Sequence, residues 1–453
     1  MSASQCDMGH TDANRVRALD GVRVVELSIA IAAPSVARTL AFHGAEVLKI
    51  EARSNPDVAR LFGSAWARVP EFLEVFTDTS PYVPEMSAGK LSVGLELKHP
   101  EALAALHRII ATADVFITNY STPAVRGLGL GYDEMRAIKP DIVYVALPGF
   151  GSDESLPYYP FLAWGPNQAP LVGMDELTGY ADQEPAGVAS IAPPDYLAGK
   201  HGMLAVLTAL EHRESSGEGV FVDLSQFETT VSLLGPFIYD YELTGNVVGR
   251  DGNRDPRQAP QGCYPCTGDD RWVALSITDD AAWTAFTAVC GEAWAADGRF
   301  TTLAGRVAAH DELDGLIGTW TARHDAAELA AWLQEAGVAA HPVLDHAGLL
   351  GDDQIRAREW YAVRGGGRFE LDLFGREPLR LTETPGDVDR AGPSMGQDTR
   401  DVLARVAGLG DAEIDAMIDS GAAFAETAPG RVLQRPYHRY IDVITRVDRG
   451  GRA

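Results

Sequence analysis

Short apolar runs alternate with amphipathic stretches over the first 150 residues of the chain. Five runs rich in Val, Ile and Leu have the length of buried strands, at 22–28, 46–52, 91–97, 114–120 and 142–151. The stretches at 33–44 and 99–113 repeat apolar residues at the period of a helix that packs on one side. Strands that alternate with helices are typical of βαβ units around a parallel sheet. The pattern predicts an α/β fold with a large Rossmann-like domain.

The pattern changes beyond residue 150. A long helix is predicted from Asp195 to the segment ESSGEG at 214–219, followed by a second helix over 225–243. A segment rich in Arg, Pro and Gly at 251–262 is typical of a linker, and the strand at 271–277 with helices at 280–290 and 326–337 predicts a smaller α+β domain. The predicted organisation is a flexible N-terminus at 1–17, a large Rossmann-like domain at 18–250, a small domain with its linkers at 251–340, a return to the large domain at 341–423 and a C-terminal tail at 424–453.

Composition and charge narrow the function. At 453 residues the chain exceeds one typical core, which agrees with two domains. A formal net charge of −26 argues against a nucleic-acid surface, which needs concentrated positive charge, and disfavours an anionic membrane. No apolar run reaches the ~18 residues of a membrane span, and the polar N-terminus lacks the apolar centre of a signal peptide. We therefore predict a cytoplasmic protein without nucleic-acid or membrane partners.

Several common cofactor and catalytic motifs are absent from the sequence. The turn after the first strand, SIAIAAPSV, has no glycine, so no NAD site of the G-x-G-x-x-G type is expected. His201 and His212 have no partner at metal-ligand spacing, and Cys263 and Cys266 lack a second pair of ligands, so no metal is predicted. The single G-x-S-x-G match, at 392–396, follows a polar stretch, which favours a loop over a serine nucleophile.

Asp195 is the remaining candidate for chemistry. It follows two prolines at the head of the long predicted helix, where aspartate is a favoured N-cap residue. The same position suits a nucleophile, because a helix N-terminus keeps a carboxylate ionised and an ionised carboxylate can attack an acyl carbon. The local pattern leaves capping and catalysis both open.

Six blocks of sequence occur in a characteristic order. They are LDGVRVVELS…AAPSVARTLAFHGAEVLKIE, GKLSVGLELKHPEA, ADVFITNY…GLGLGYDEMRAIKPDIVYVALPGFG, PPDYLAGKHGMLAVLTALEHRESSGEGVFVDLSQFE, GVAAHPVLD and GQDTRDVLARVAGL. Through these blocks residues 18–423 resemble the class III CoA-transferases, the family of formyl-CoA transferase and carnitine CoA-transferase. The catalytic aspartate of that family falls on Asp195.

The resemblance implies a CoA-transferase that moves coenzyme A from an acyl-CoA to a carboxylic acid. Asp195 would form an aspartyl-acyl anhydride and then an aspartyl-CoA thioester. Ile31 departs from the glutamine of formyl-CoA transferase, and Arg53 and Arg126 are each displaced by one position from the family's basic residues. The positions that match CoA contacts of the family are Ala30, Ile31, Arg53, Leu95, Leu97, Lys98, Asn119, Tyr120 and Arg126.

The resemblance also implies a homodimer of two interlocked chains. Two alternatives remain open from the sequence. An α-methylacyl-CoA racemase needs a His/Asp pair as general base, and residues 158–173 contain neither type. A non-catalytic subunit of a hetero-oligomeric CoA-transferase would have lost its site, and the retained block around Asp195 argues against that alternative.

Overall fold

The computed structural model describes residues 16–61, 80, 82–159, 161–188, 192–365 and 372–426. The chain divides into two compact units. The first comprises Met1–Val172, Val188–Gly245 and Asp353–Ala453, and the second comprises Gly173–Gly187 and Asn246–Asp352. The second unit is more extensive than the segment predicted as the small domain, since it ends at Asp352 and includes Gly173–Gly187.

The described residues contain both strands and helices in alternation. The strands are β1 (Arg23–Leu27), β2 (Glu46–Glu51), β3 (Leu91–Leu95), β4 (Val115–Thr118), β5 (Val143–Ala146), β6 (Val220–Asp223), β7 (Gln261–Pro265), β8 (Trp272–Ser276), β9 (Ala339–Pro342), β10 (Tyr361–Arg364), β11 (Asp372–Gly375) and β12 (Ala423–Phe424). The helices are α1 (Ala32–Phe42), α2 (Tyr82–Ser87), α3 (Pro100–Ile110), α4 (Thr122–Gly127), α5 (Tyr132–Ile138), α6 (Gly165–Leu171), α7 (Pro193–Ser216), α8 (Gln226–Val231), α9 (Gly235–Thr244), α10 (Asp280–Cys290), α11 (Leu303–Ala308), α12 (His310–Thr321), α13 (Ala326–Glu335), α14 (His346–Gly351), α15 (Asp353–Ala357), α16 (Thr399–Arg405) and α17 (Asp411–Asp419).

The first unit is built on a seven-stranded sheet with the order β12-β3-β2-β1-β4-β5-β6. Neighbouring strands are parallel except at one edge, where β12 pairs antiparallel with β3. In the centre, Val24 of β1 is paired with Val47 of β2 on one side and with Val115 of β4 on the other. The strands β4 and β5 are buried throughout, as a parallel sheet covered on both faces requires. The predicted α/β fold with a large parallel sheet is confirmed.

The five predicted apolar runs contain β1 to β5, although each strand is shorter than its run. Two further strands of this sheet, β6 and β12, were not predicted. β6 alternates half-buried with exposed residues, and β12 has only two residues, so neither presents a buried apolar run. The single helix predicted over 225–243 is wrong, because a 3₁₀ turn at Ser232–Leu234 separates α8 from α9. Pro236 lies in the first turn of α9, where its missing N–H does not interrupt a helical hydrogen bond.

The long helix α7 packs closely against α1. A Cβ on Gly199 would overlap the hydroxyl of Ser35, and a Cβ on Gly202 would lie 2.8 Å from Cγ2 of Val36. The buried residues of α7 recur at helical spacing from its first turn onward, so a single face of the helix is held against the sheet layer. This packing fixes the N-terminal end of α7, where Asp195 lies.

The second unit contains the antiparallel sheet β7-β8-β9 and its own hydrophobic core. Trp283 packs on Phe286 and Phe300 in that core, with ring centroids 5.4 and 6.1 Å apart. Cys263 on β7 is exposed and Cys266, which follows β7, is buried; both are free thiols.

The predicted flexible N-terminus and C-terminal tail lie mostly outside the described residues. Of the residues that are described, Arg17 forms an ion pair with Asp389, and Phe424 of β12 is paired with Gly94 of β3. Arg17 and Phe424 therefore belong to the packed structure of the first unit. None of the helices in the described part of the chain combines the length and the apolar character needed to cross a bilayer.

Candidate active site

Asp195 is the third residue of α7, because the helix begins at Pro193. The N-cap residue is Ala192, which has a left-handed φ of 44° and no side-chain cap. Proline suits the first helical turn, since an N–H there has no intrahelical partner, and the two prolines therefore start the helix ahead of the aspartate. Asp195 is thus not the N-cap residue that the local pattern favoured.

The carboxyl group of Asp195 is buried, with only 8% of the residue exposed. It lies against Gly165, the first residue of α6, so closely that a Cβ at position 165 would overlap Oδ2 of the aspartate. Burial raises the pKa of Asp195 to about 6, while the N–H groups of Gly165 and of Asp195 itself act in the opposite direction. The expectation that the helix N-terminus sets the ionisation of this carboxylate is therefore corrected, because burial outweighs the amides.

Asp195 contributes to the wall of a cavity of about 420 Å³ in the first unit. The cavity lies at the carboxyl ends of β1, β4 and β5, since Ile29, Asn119 and Pro148 follow these strands and line it. The strand order reverses between β1 and β4, and that reversal is the usual ligand crevice of an open α/β sheet. The other lining residues are Ala30, Asn55, Tyr120, Ser121, Thr122, Ala124, Leu128, Gly149, Phe150, Gly151, Tyr159, Phe161, Leu162, Ala163, Trp164 and Gln226.

Asn119 holds the turn after β1 in place. Its Oδ1 accepts a hydrogen bond from the N–H of Ile29 at 2.9 Å, and its Nδ2 donates to the carbonyl of Ile29 at 2.7 Å. The next residue, Ala30, has a φ of 60°, and its N–H donates to Oδ1 of Asp57 at 2.8 Å. A non-glycine residue keeps such a backbone only where its surroundings enforce it, so these bonds fix the shape of one cavity wall.

Four charged residues are buried beneath this turn, and we call them the charged cluster: Glu26, Lys49, Asp57 and Lys90. Lys49 donates to Glu26 at 3.1 Å and to Asp57 at 2.8 Å, and Lys90 lies 2.6 Å from the other oxygen of Glu26. Burial lowers the pKa of Lys90 to about 8, with Glu26 opposing it. The cluster was not predicted from the sequence, although the charged residues inside apolar runs, Glu26 in VVELS and Lys49 in VLKIE, are a signal for it.

Aromatic side chains form another part of the cavity wall. Phe150, Tyr159, Phe161 and Trp164 line it, and Tyr158 packs between Phe150 and Phe161 with centroid distances of 5.3 and 6.2 Å. We call these five residues the aromatic wall. No Lys, Arg or His is among the lining residues in the described part of the chain. The aromatic wall was not predicted from the sequence, because residues 150–164 have no helix or strand periodicity and only their high content of aromatic residues is a signal.

The fold agrees with the comparisons with known proteins. Residues 19–399 match the model of a family described as CoA-transferase family III. The chain belongs to CoA-transferase family III. It is therefore an acyl-CoA:carboxylate CoA-transferase, as the sequence blocks predicted.

The matches between this CoA-transferase and individual relatives extend over almost the whole length of each relative. It is 31% identical over 395 residues to the succinyl-CoA–D-citramalate CoA-transferase of Chloroflexus aurantiacus, which covers 87% of this chain and 95% of that relative. It is 28% identical to the beta subunit of the succinyl-CoA–L-malate CoA-transferase of the same organism, over 88% of this chain and 96% of the relative. Among solved structures, a CAIB/BAIF family protein from Brucella suis is 27% identical with a TM-score of 0.79, over 86% of this chain and 100% of that one.

Four of the nine predicted CoA contacts of this CoA-transferase lie in or beside the cavity. Ala30, Asn119 and Tyr120 line it together with Asp195. Ile31 is buried in a small apolar cluster that also contains Ala192, the N-cap residue of α7.

The two leucines predicted as CoA contacts belong to the core of the first unit. Leu95 on β3 is fully buried, and Leu97 packs against the same core. Neither residue lines the cavity that contains Asp195.

The three predicted basic contacts lie on the protein surface outside the cavity lining. The guanidinium of Arg53 stacks on the ring of Phe424, 4.3 Å from its centroid. Lys98 is exposed in the turn that precedes α3. Arg126, near the end of α4, forms an exposed ion pair with Glu154.

His201, His212 and Ser394 do not line the cavity that contains Asp195. Within the described ranges, no group of three or more His, Cys, Asp or Glu residues is arranged to hold a metal ion. His201 and His212 are both exposed on α7, and Ser394 of the G-x-S-x-G match is buried in a loop.

Proposed function

We propose that this CoA-transferase carries CoA through covalent intermediates on Asp195. The observation that supports the proposal most directly is the position of this carboxylate, which is buried in the cavity wall and is the only carboxylate among the described lining residues. Carboxylate nucleophiles form acyl intermediates that stay reactive, because an anhydride or a thioester is readily attacked again.

In the first half-reaction, an oxygen of Asp195 attacks the carbonyl carbon of the acyl-CoA and the carbon–sulfur bond breaks. The products are an aspartyl-acyl anhydride and the CoA thiolate. The thiolate then attacks the carbonyl carbon of Asp195, which forms an aspartyl-CoA thioester and releases the donor acid as a carboxylate. No proton is consumed in either step.

The second half-reaction is the reverse sequence with a different acid. An acceptor carboxylate attacks the carbonyl carbon of the aspartyl thioester and forms a new anhydride with release of the CoA thiolate. The thiolate attacks the acyl carbon of the acceptor, which gives the new acyl-CoA and regenerates the carboxylate of Asp195. The bonds formed and broken are of the same types in both halves, so no further energy source is required.

The ionisation of Asp195 suits this role. With a pKa of about 6, the carboxylate is ionised in about nine of ten molecules at pH 7. The same burial that raises the pKa removes hydration from the carboxylate oxygens, which must be shed before attack. We expect activity to fall as the pH drops below about 6, because protonation removes the nucleophile.

The polar part of the cavity is proposed to hold the pantetheine arm of CoA. Asn55, Ser121 and Thr122 line it beside Ala30 and Tyr120, and the arm carries amide groups that need such partners. The phosphates of CoA would remain toward solvent, where Arg53, Lys98 and Arg126 are the basic residues that the family resemblance assigns to CoA. Arg126 would have to exchange Glu154 for a phosphate, since the two are paired.

We propose that the working form is a homodimer of interlocked chains. Helix α9 has no buried residue although it carries large apolar side chains, which are Phe237, Ile238, Tyr239, Tyr241 and Leu243. We call these residues the α9 face. An apolar patch of this kind on a chain is typical of a protein–protein interface. A hetero-oligomer is the alternative, because a relative is named as the beta subunit of a CoA-transferase.

The remaining alternative activity is that of a racemase. Deprotonation beside a thioester needs a general base such as a histidine paired with an aspartate. No histidine lines the cavity in the described part of the chain. Nothing in the site favours the racemase.

The test is transfer by the purified chain alone, with succinyl-CoA or acetyl-CoA as donor and a panel of carboxylic acids as acceptors. Mass spectrometry of the product thioesters identifies the acids that are used. Asp195→Ala should lower kcat by at least about a thousandfold. Asp415→Ala, at an exposed surface aspartate, is the control and should keep the wild-type rate. Wild-type turnover by Asp195→Ala would contradict the proposal.

A further inference from the structure

We propose that the preferred acceptor acid is an aromatic monocarboxylate, whose ring packs on the aromatic wall while its carboxylate reaches Asp195. This inference rests on the proposed function and adds the chemical class of the acid. It is carried by the geometry of the wall, its connection to Asp195 and the absence of a cation among the described lining residues.

The rings of the aromatic wall form a continuous cluster. Phe150 contacts Tyr158 edge-on, with an interplanar angle of 61°, and Tyr158 continues the cluster to Phe161. Phe227 extends it on the other side, 5.8 Å from Phe150. Tilted and edge-to-face arrangements of this kind favour a further ring at the open side of the cluster.

The cluster is not covered within its own unit. Phe161 is 60% exposed and Trp164 is 41% exposed, although both line the cavity. Large rings left open beside a reactive group are typical of a surface that a ligand covers.

The aromatic wall is joined directly to the nucleophile. Trp164 precedes Gly165, where a Cβ would overlap the carboxylate of Asp195. On the other side of Trp164, a Cβ on Gly149 would overlap the Cβ of Ala163, so the loop lies against the strand end that precedes Phe150. An acceptor acid whose ring packs on this loop therefore needs only a short linker between that ring and the carboxylate that attacks Asp195.

The charge of the cavity selects against a second carboxylate. A dicarboxylate bound at Asp195 would place its far carboxylate in a lining without Lys, Arg or His among the described residues. A carboxylate removed from water without a partner is costly. D-Citramalate and L-malate, the acids in the names of two relatives, both carry a second carboxylate. The aromatic wall offers such an acid no positive charge, and its hydrogen-bond donors are limited to the hydroxyls of Tyr158 and Tyr159 and the indole N–H of Trp164.

The experiment compares acceptors with one donor, acetyl-CoA, whose acyl group is small and uncharged. Phenylacetate and 3-phenylpropionate are the aromatic probes, and glutarate and L-malate are the dicarboxylate probes. We expect kcat/KM to be at least about tenfold higher for the better aromatic acid than for either dicarboxylate. Equal or better use of a dicarboxylate would overturn the inference.

A second measurement separates failure of this inference from failure of the proposed function. Intact-protein mass spectrometry after incubation with acetyl-CoA alone should detect the CoA adduct on the wild-type chain. If the adduct forms and aromatic acids are not acceptors, the inference is overturned and the proposed function stands. If no adduct forms, the covalent mechanism and the inference both fall.

Two variants test the wall itself. Phe161→Arg replaces an exposed ring by a cation, and we expect kcat/KM to fall about tenfold for the aromatic acid and to rise for glutarate. Trp332→Arg makes the same kind of change at an exposed ring of the second unit and should alter neither value. An unchanged acceptor preference in Phe161→Arg, with wild-type thermal stability, would contradict a role of the aromatic wall.

Discussion

At Asp195, burial and two N–H groups act in opposite directions on one carboxylate, and burial prevails. The sequence resemblance placed the nucleophile at this residue, but its ionisation could not be predicted from the local pattern. The helix starts two residues earlier than the aspartate, and the residue that covers the carboxylate, Gly165, is separated from it by thirty positions of chain. Burial of this kind depends on tertiary contacts, so the position of Asp195 in the helix determines only part of its pKa.

Asp195→Asn should abolish transfer and yet raise the free energy of unfolding by about 3 kcal/mol at pH 8. The folded-state pKa of about 6 lies above that of an unfolded aspartate, so the wild-type chain bears the cost of a buried charge at high pH. As the pH falls, Asp195 binds a proton at a higher pH in the folded chain than in the unfolded chain. The difference in free energy of unfolding between Asp195→Asn and the wild type should therefore be about half as large at pH 5 as at pH 8. Urea unfolding at both pH values measures it. A difference that does not depend on pH would contradict the raised pKa.

Gly165→Ala should lower kcat by about a hundredfold, because the new Cβ would occupy the place of Oδ2 of Asp195 and displace the carboxylate. The KM for the acyl-CoA should change much less, since the polar part of the cavity is not altered. Gly298→Ala is the matched control, since a Cβ there meets nothing within 4 Å. Steady-state kinetics of the two variants checks the prediction. Wild-type kcat in Gly165→Ala would show that the close approach to Asp195 has no role in catalysis.

Among the elements, strands β1 to β5 of the seven-stranded sheet were predictable because each lies in an apolar run. The turn after β1 was predictable only as a turn without glycines. Its conformation depends on contacts distant in sequence, from Asn119 and Asp57 to the main chain of Ile29 and Ala30. The same holds for the aromatic wall, which is formed by irregular chain and has no periodic signal. The parts of the site that lie in loops are those that the sequence pattern did not resolve.

Asp57→Asn should destabilise the chain by about 3 kcal/mol, because it removes the charge of the carboxylate that accepts from buried Lys49 at 2.8 Å and leaves Glu26 to pair with both lysines of the charged cluster. The KM for the acyl-CoA should rise as well, since the bond from Ala30 to residue 57 holds the turn that lines the cavity. Urea unfolding and initial rates measure the two effects.

Asp415→Asn is the control for Asp57→Asn. Asp415 pairs with Arg400 at the surface, and exposed ion pairs contribute less than about 1 kcal/mol. Equal stabilities of the two variants would contradict a structural role of the charged cluster.

For the whole molecule, the α9 face is a group of large apolar side chains that stays exposed in the described chain. The sequence resemblance predicted a homodimer, but no pattern in the sequence indicated which surface would form it. Helix α9 has a mixed distribution of apolar residues, and only the structure identifies them as exposed.

The purified chain should have twice the chain mass in solution, without a detectable monomer on dilution to nanomolar concentration, since interlocked chains separate only when they unfold. Leu243→Arg at the α9 face should weaken or prevent assembly, because it places a charge in an apolar interface. Leu379→Arg, at another exposed leucine of the first unit, is the control. Light scattering coupled to gel filtration measures the mass. A stable, folded wild-type monomer would contradict the homodimer.

The most direct test of the account follows the oxygen atoms of the acceptor acid. In the proposed mechanism an oxygen of the acceptor bridges to Asp195 in the second anhydride and stays there when the thiolate attacks the acceptor carbon. After a single turnover with an acceptor labelled with heavy oxygen, the proteolytic peptide that contains Asp195 should carry one heavy oxygen atom, and the peptide of Asp195→Asn should carry none. Formation of the product thioester with an unlabelled Asp195 peptide would contradict covalent catalysis by this residue.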